Sequence, residues 1–210
     1  MIYIIIILPL ILYAYFGYKV IRKYEYVHYA IFGILAIIGG TIENHNFLNA
    51  GFLGVSLFII VMFTGVIASS KLKKRLMQVR AQYAIMGFII ISSHSIAFFS
   101  YLFEEGLIFV HVSIIFGVIC YLVFVPLFIT SFVIIRKQLG YKNWKKLHSF
   151  GYLGYLALFL HLYLINNSRQ DFYLVLFSVY ALFKIIAILD KYFTLKKVRK
   201  KKNKVPNTSS

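Results

Sequence analysis

Seven apolar stretches, each free of Lys, Arg, Asp and Glu, alternate with short polar segments along the chain. They cover residues 1–18, 26–42, 44–70, 81–103, 106–135, 147–168 and 172–183. Crossing a bilayer takes about 20 predominantly apolar residues, and within lipid a helix satisfies its own backbone hydrogen bonds. The pattern predicts an all-α, polytopic membrane helix bundle with seven transmembrane helices. The seventh stretch spans only if its helix continues past Lys184, with the ammonium group reaching toward the interface.

The positions of the basic residues provide a test of the seven predicted transmembrane helices, because Lys and Arg accumulate in the cytoplasmic loops of membrane proteins. Alternate loops and the carboxyl end together hold 22 of the 23 basic residues, and only Arg169 lies on the opposite side. Four of the six acidic residues also lie on that opposite side: Glu43, Glu104, Glu105 and Asp171. We therefore predict that the amino terminus is outside and the carboxyl terminus is cytoplasmic.

Composition narrows the class of protein further. Only 14% of the residues are charged and 61% are apolar, which excludes an ordinary soluble domain, where about 25% are charged. The formal net charge of +17 would favour a nucleic-acid partner in a soluble chain. Here the basic residues follow the membrane topology, so we expect no nucleic-acid partner. Residues 191–210 are basic and then polar, which predicts a disordered cytoplasmic tail that contacts anionic lipid.

Histidines inside apolar stretches are functional candidates, since titratable groups are costly in lipid. His94 lies 13 residues beyond Ala81, and His161 lies 13 residues beyond His148. This spacing places both imidazoles about 20 Å from the inner ends of their helices. Two imidazoles that face each other at one depth suit the axial positions of a haem iron. Hydrogen-bonded packing is the alternative role that the pattern leaves open.

Two glycines add to this pattern. Gly87 and Gly154 each lie 7 residues inward of one of these histidines, and a 7-residue step returns to within about 20° of the same helix face. Two facing positions without side chains would form a slot for a flat macrocycle. The alternative is ordinary close packing of helices, in which glycine is common in membranes.

The other histidines fit this arrangement less well. His148 and His161 lie about 140° apart on an ideal helix. His148 therefore joins the same side of the bundle only if it precedes the regular helix or a bulge intervenes. We interpret His28, His45 and His111 as interfacial or packing residues.

Two sets of residues resemble the ferric reductase-like transmembrane domain family, the haem-binding part of ferric reductases and NADPH oxidases. The first set resembles the signature of the family's penultimate helix and consists of Leu139, Gly140, Trp144, Leu147, His148 and His161. The second resembles the haem-binding membrane subunit of the bacterial periplasmic methionine sulfoxide reductase system and consists of Arg80, Gly87, His94, Pro126, Leu127, Thr130 and Ser131. The resemblance implies a six-helix core within residues 26–190, an additional N-terminal transmembrane helix within residues 1–25, and a bacterial cell membrane.

The resemblance also implies a function, transmembrane electron transfer through haem b. The implied iron ligands are His94 and His161, with His148 as a further candidate. The remaining candidate cofactor-binding residues are Gly87, Gly154 and Arg80. The donor would be a quinol or a cytoplasmic flavin reductase, and the acceptor an extracytoplasmic reductase or a small molecule. FMN or a quinone stays open as an additional cofactor.

The chain departs from this family at two points. Members with two haems have two histidines 14 residues apart on the helix that corresponds to the fourth stretch, whereas here Arg80 lies 14 residues before His94. No GxGxxG follows a strand, and no flavin or nicotinamide domain follows the seventh stretch, so we expect electrons to come from another molecule. We expect Arg80, with Lys145 and Lys146, to neutralise haem propionates or an anionic donor. For the lysines, contact with lipid headgroups is the alternative.

The competing hypothesis is a polytopic membrane protein without a redox centre, such as a transporter or an assembly factor. Its intramembrane histidines would then form hydrogen bonds or relay protons. A transporter often has Gly- or Pro-broken helices at matching positions of two related halves. Pro9 and Pro126 occupy unrelated positions, so the sequence does not show that pattern.

Overall fold

The computed structural model describes residues 2–41, 51–105, 112–165 and 167–202, and these residues form α-helices without a strand. A short 3-10 turn, Asn167–Arg169, joins the last two helices. The helices are α1 (Ile2–Lys23), α2 (Glu25–Thr41), α3 (Phe52–Thr64), α4 (Lys71–Glu105), α5 (Val112–Ile129), α6 (Val133–Leu139), α7 (Tyr141–His148), α8 (Gly151–Ile165) and α9 (Gln170–Lys202). The all-α prediction is confirmed.

Five helical segments are long and apolar enough to cross a bilayer: Ile2–Lys23, Lys71–Ser100, Val112–Ile129, Tyr141–Ile165 and Gln170–Phe193. Two further helices, α2 and α3, are apolar but have only 17 and 13 residues. The seven apolar stretches of the sequence therefore all contain helix, but a count of seven complete spans remains a prediction. The long apolar helices establish an integral membrane protein.

Two segments that the charge pattern assigned to a loop or a tail are helical. The basic run before Ala81 forms the first turns of α4, a helix of 35 residues. The tail predicted to be disordered over 191–210 continues α9 as far as Lys202, and residues 203–210 lie outside the described part of the chain. Lys, Arg, Leu and Gln are good helix formers. A helix can therefore continue through the basic residues where it passes from lipid into water.

The fifth stretch, predicted to be one span from 106 to 135, breaks near Pro126. Helix α5 ends at Ile129, and the hydroxyls of Thr130 and Ser131 donate to the backbone oxygens of Pro126 and Leu127, each at 2.7 Å. The Pro126 oxygen also accepts the backbone N–H of Thr130 at 3.1 Å, so these hydroxyls add side-chain hydrogen bonds where α5 ends. Helices α6 and α7 follow, joined at Gly140, whose φ of 75° lies in the left-handed region that favours glycine.

Helix α4 is the centre of one half of the bundle, and α8 is the centre of the other. Helices α1, α2 and α3 pack on α4, whereas α5 and α9 pack on α8. The hydroxyls of Tyr3 in α1 and Tyr173 in α9 lie 2.9 Å apart and join the two halves. The outward faces are apolar: Phe16 is 75% exposed and Ile37 is 68% exposed. Faces of this kind are stable against lipid rather than water.

Cysteine labelling tests the predicted topology. In a Cys120→Ala background, we expect Asp171→Cys to react with a membrane-impermeant thiol reagent in intact cells. We expect Lys74→Cys to react only after permeabilisation, because the basic end should be cytoplasmic. Both positions are exposed. Equal labelling of the two variants in intact cells would contradict the orientation.

Candidate functional site

The two histidines predicted to share one depth line one cavity. This outer cavity has a volume of about 300 Å³ and lies between α3, α4, α5 and α8, with His94 on α4 and His161 on α8. Both imidazoles are partly buried and near enough to interact electrostatically. Most of the other lining side chains are apolar, among them Ile91, Val118 and Leu162. The site is therefore an apolar chamber lined by one imidazole from each half of the bundle.

A hydrogen bond to the backbone orients His161. Its Nδ1 donates to the backbone oxygen of Ser113 at 2.8 Å. A carbonyl only accepts, so Nδ1 carries the hydrogen and Nε2 of the neutral ring keeps its lone pair. Metal-binding histidines commonly donate their other ring N–H to such a carbonyl, which fixes the tautomer and the ring orientation. His161 is thus prepared to bind a metal through Nε2.

Two glycines that the sequence analysis did not single out lie against the imidazoles, and Gly117 gives His161 its space. Gly117 lies one helical turn after Ser113, and a Cβ there would lie 2.9 Å from Nδ1 of His161. Gly51 has a φ of 74°, and a Cβ there would lie 3.6 Å from Cγ of His94. The sequence contains only a weak signal for the role of Gly117. It lies four residues after Ser113, which places both residues on one face of α5.

Gly87 and Gly154 do not form the open slot that their spacing predicted. A Cβ on Gly87 would lie 3.6 Å from Cε1 of Phe58, and a Cβ on Gly154 would lie 2.5 Å from Cε1 of Phe124. The two phenylalanine rings stack on each other with their centroids 4.8 Å apart. Gly154 therefore admits the Phe124 ring, whereas Gly87 allows the close approach of α3 at Leu57, whose Cβ would lie 3.2 Å from a Cβ on Gly87. The two rings fill the space between the glycines. A role for the glycines in cofactor binding remains a prediction.

Phe58 and Phe124 also divide the interior. They line both the outer cavity and a second, inner cavity of about 680 Å³. His148 and Arg80 line the inner cavity, so the structure places them across the phenylalanine pair from His94 and His161. The six residues predicted to form one site thus belong to two neighbouring chambers and the partition between them.

His148 ends α7, before the regular helix α8 begins at Gly151, which is one of the two conditions that the sequence set for it. Its Nε2 lies 3.1 Å from Oγ1 of Thr130, and its ring lies 4.3 Å from that of Trp144. The Thr130 hydroxyl donates to Pro126, so it accepts a hydrogen bond from His148. No second histidine lines the inner cavity in the part of the chain that the structure describes.

The inner cavity is cationic and aromatic. Its basic lining residues are Arg80, Arg136, Lys145 and Lys184, and its lining in the described residues includes no Asp or Glu. Lys184, which interrupts the seventh apolar stretch, donates to the hydroxyl of Tyr152 beside this cavity. Trp144, Tyr155 and Tyr180 add aromatic surface. Such a lining favours an anionic ligand with a flat aromatic part.

The two cavities differ in the side chains that could bind a metal. Within the described ranges, no group of three or more His, Cys, Asp and Glu side chains could hold a metal ion. The outer cavity instead presents a pair of imidazoles. A pair suffices for a metal that brings its own equatorial ligands, as haem iron does.

The family profile described as "Ferric reductase like transmembrane component" matches residues 44–159. The chain belongs to this family. The match covers more than half of the ferric reductase-like protein and includes Arg80, Gly87, His94, His148 and Gly154. His161 lies two residues beyond the matched segment. Membership agrees with the apolar helices in indicating an integral membrane protein.

An uncharacterised protein of Treponema pallidum (strain Nichols) is 28% identical to the ferric reductase-like protein over 168 residues. The aligned region covers 70% of this chain and 46% of the relative, so the chain spans about half the length of the curated relative that it matches. No solved structure matches the chain.

Leucine substitutions at two helical glycines test the packing of the partition. We expect Gly154→Leu to destabilise the fold by about 1–3 kcal/mol, because the new side chain overlaps Phe124. Gly33→Leu is the matched control, since a Cβ at Gly33 meets nothing within 4 Å. Thermal unfolding in detergent should show a lower Tm for Gly154→Leu only. Equal Tm values would show that Phe124 moves aside without cost.

Proposed function

We propose that this protein transfers electrons across the membrane through a haem b held by His94 and His161. The observation that supports this function best is the meeting of two imidazoles in one apolar cavity, with Nδ1 of His161 bonded to Ser113. The donor would be a quinol or a cytoplasmic flavin reductase. The acceptor would be an extracytoplasmic reductase or a small molecule.

The residues of the outer cavity fit this group. A bound haem b would supply a one-electron redox centre. His94 and His161 would hold the haem iron, and the Ser113 carbonyl would keep the His161 ring in place. Gly117 leaves room for that ring. The apolar lining excludes water and lowers the local dielectric constant, which is the usual contribution of a protein to such a centre.

Arg169 is our proposed partner for a haem propionate. It is the single basic residue that the charge pattern assigns to the outer side, and it lines the outer cavity with its guanidinium 5.0 Å from the centre of the Phe52 ring. Arginine binds carboxylates through a planar, charge-assisted fork. Arg80 and Lys145, which the sequence suggested for this role, line the inner cavity instead. Lys146 is not among the residues that line either chamber.

We propose an intermediate electron carrier, FMN or a quinone, for the inner cavity. Its four cations would attract a phosphate or another anionic group, and Trp144 and the tyrosines would contact a flat ring. The cavity borders the histidine chamber at Phe58 and Phe124. A carrier there would shorten the distance between a donor at the basic end and the two imidazoles.

The membrane arrangement that we propose has seven spans, an outside amino terminus and a cytoplasmic carboxyl terminus in a bacterial cell membrane. The basic residues then lie at the donor side, where they contact anionic lipid, and the histidine chamber lies nearer the acceptor side. An outer partner of the kind found in the periplasmic methionine sulfoxide reductase system fits this direction. The alternative, a transporter or assembly factor without a redox centre, gives no comparable reason for two imidazoles in a shared apolar chamber.

Alanine substitutions test the axial ligands. Replacing His94 or His161 should remove most of the haem from the purified protein, because the apolar chamber offers no substitute ligand. His28→Ala is the control, since His28 bonds to Tyr13 and Tyr24 away from the chamber. The Soret absorbance per protein is the measurement. A full Soret band after both replacements would exclude this pair.

Stopped-flow spectra in proteoliposomes test the donor and the direction. NADPH alone should not reduce the haem of this chain rapidly, because the described residues include no nucleotide-binding fold. A quinol analogue or an added flavin reductase should reduce it, and an oxidant on the amino-terminal side should then reoxidise it. Rapid reduction by NADPH alone would contradict the need for a partner. Reoxidation only from the carboxyl-terminal side would reverse the direction.

A further inference from the structure

A third cavity lies at the basic end of the bundle and belongs to neither chamber described above. Its volume is about 410 Å³, and it lies between the end of α1, the start of α2, the first half of α4 and the link from α5 to α6. Polar side chains dominate its lining, among them Arg22, Glu25, Tyr26, Gln78, Gln82 and Arg136. A polar cavity at the edge of a membrane bundle indicates a ligand with polar groups.

The cavity lies where the apolar stretches of the sequence begin and end. Tyr26 begins the second stretch, Ala81 begins the fourth, and Arg136 directly follows the fifth. Basic residues next to the ends of apolar spans lie at the level of the lipid head groups. The phosphate of a lipid in the same leaflet is therefore at the depth of this cavity.

Two guanidinium groups from different halves of the bundle line the cavity. Arg22 lies in the last turn of α1, which packs on α4, whereas Arg136 lies on α6, which follows α5 of the other half. Arginine binds a phosphate through a planar, charge-assisted fork. One phosphate between these two side chains would join the halves at the basic end, as the hydroxyls of Tyr3 and Tyr173 join them beside the outer cavity.

Glu25 adds the opposite charge to the cavity. It is the one acidic residue in the lining that the structure describes, and its Oε2 accepts from Nε2 of Gln82 at 2.8 Å. A carboxylate has room for several hydrogen bonds, so Glu25 can also accept from an ammonium group. The nearby ring of Tyr26 offers a face that attracts a cation. The cavity thus presents two cations and one anion, which match a head group with a phosphate and an ammonium.

The rim of the cavity reaches the surface that faces lipid. Tyr26 and Val133 both line the cavity, and Tyr26 is 66% exposed. Deeper along α2, the exposed side chains of Ile31 and Ile34 form an apolar outward face. The acyl chains of a lipid can lie along this face while its head group occupies the cavity.

We propose that this cavity binds the head group of an amine-bearing phospholipid, phosphatidylethanolamine. Its phosphate contacts Arg22 and Arg136, its ammonium contacts Glu25, and the bound lipid holds the two halves of the bundle together at the basic end. A free phosphate or a quinone would use the arginines but leave Glu25 without a counter-charge. The proposal requires no haem, so its test is independent of the proposed function.

Lipid binding to the delipidated, purified full-length chain tests the two arginines. The probe is dihexanoyl phosphatidylethanolamine, and native mass spectrometry measures its Kd. We expect Arg22→Gln and Arg136→Gln each to raise the Kd by about tenfold, the effect of losing one charge-assisted hydrogen bond. Lys23→Gln and Lys137→Gln are the matched controls, because each removes a positive charge one residue away at an exposed position outside the cavity. An equal rise in the controls, or no binding to the wild type, would overturn the proposal.

The choice of head group tests Glu25. Glu25→Gln should raise the Kd for phosphatidylethanolamine by about tenfold. The same variant should lower the Kd for dihexanoyl phosphatidylglycerol, because that lipid carries only a negative charge, which Glu25 repels. Asp190→Asn is the control, since Asp190 is exposed and lies outside the cavity. If Glu25→Gln changed both Kd values alike, the ammonium contact and with it the proposed lipid would be wrong.

Competition identifies the occupant. Inorganic phosphate and menadione, a quinone, should each leave the lipid bound when added at the concentration of the lipid. Displacement by phosphate would make the cavity a site for free anions, and displacement by menadione would make it a quinone site. Either result would overturn the proposal.

Thermal unfolding in detergent tests the joining of the two halves. Added phosphatidylethanolamine should raise the Tm of the wild type and of the lysine controls, because a ligand that binds the folded state stabilises it. It should leave the Tm of Arg22→Gln and Arg136→Gln unchanged. Equal Tm values of all variants without lipid show that they are folded. A rise in Tm that is the same in the arginine variants would contradict the proposal.

Discussion

The stacked rings of Phe58 and Phe124 separate the interior of the bundle into chambers with different chemistry. The Phe124 ring occupies space that Gly154 leaves, and the Phe58 ring lies at ordinary contact distance from Gly87. Their close stacking closes the apolar chamber of His94 and His161 toward the basic end. Without this partition, the cations around Arg80 would share one cavity with the imidazoles. The partition therefore lets one small bundle hold an apolar chamber with two histidines next to a chamber lined by cations.

Helix α4 sets the spacing of these chambers along the bundle. Arg80, Gly87 and His94 follow one another at intervals of 7 residues, so they lie on nearly one face of the helix. The first lines the inner chamber, the second lies against the partition, and the third lines the outer chamber. The 14 residues from Arg80 to His94 span about 21 Å. One helix thus places a cation, a packing glycine and a histidine at regular intervals along the bundle.

Charge and hydrogen bonding complete the arrangement. Hydrogen bonds orient two of the histidines that line the cavities. His161 bonds to the backbone oxygen of Ser113, and His148 bonds to the hydroxyl of Thr130. At the basic end, the buried Gln82 donates to the half-buried Glu25 beside a polar cavity. Such polar groups are stable in a membrane bundle only where they are paired or face a ligand.

The sequence by itself determined the membrane helices, the gathering of basic residues at one end, and the pair of histidines that meet in one chamber. These features follow from local properties, because hydrophobicity decides which segments enter lipid and the constant rise of a helix sets the depth of each residue. The tertiary structure alone decided which helix each glycine faces, that His148 and Arg80 lie apart from the other two histidines, and that α4 begins at Lys71. It also brought Ser113 to His161 and Glu25 to Gln82, pairs that are 48 and 57 residues apart in the chain. Hydropathy and helical spacing do not determine these contacts, because they depend on how each helix is rotated against its neighbours, and packing sets that rotation.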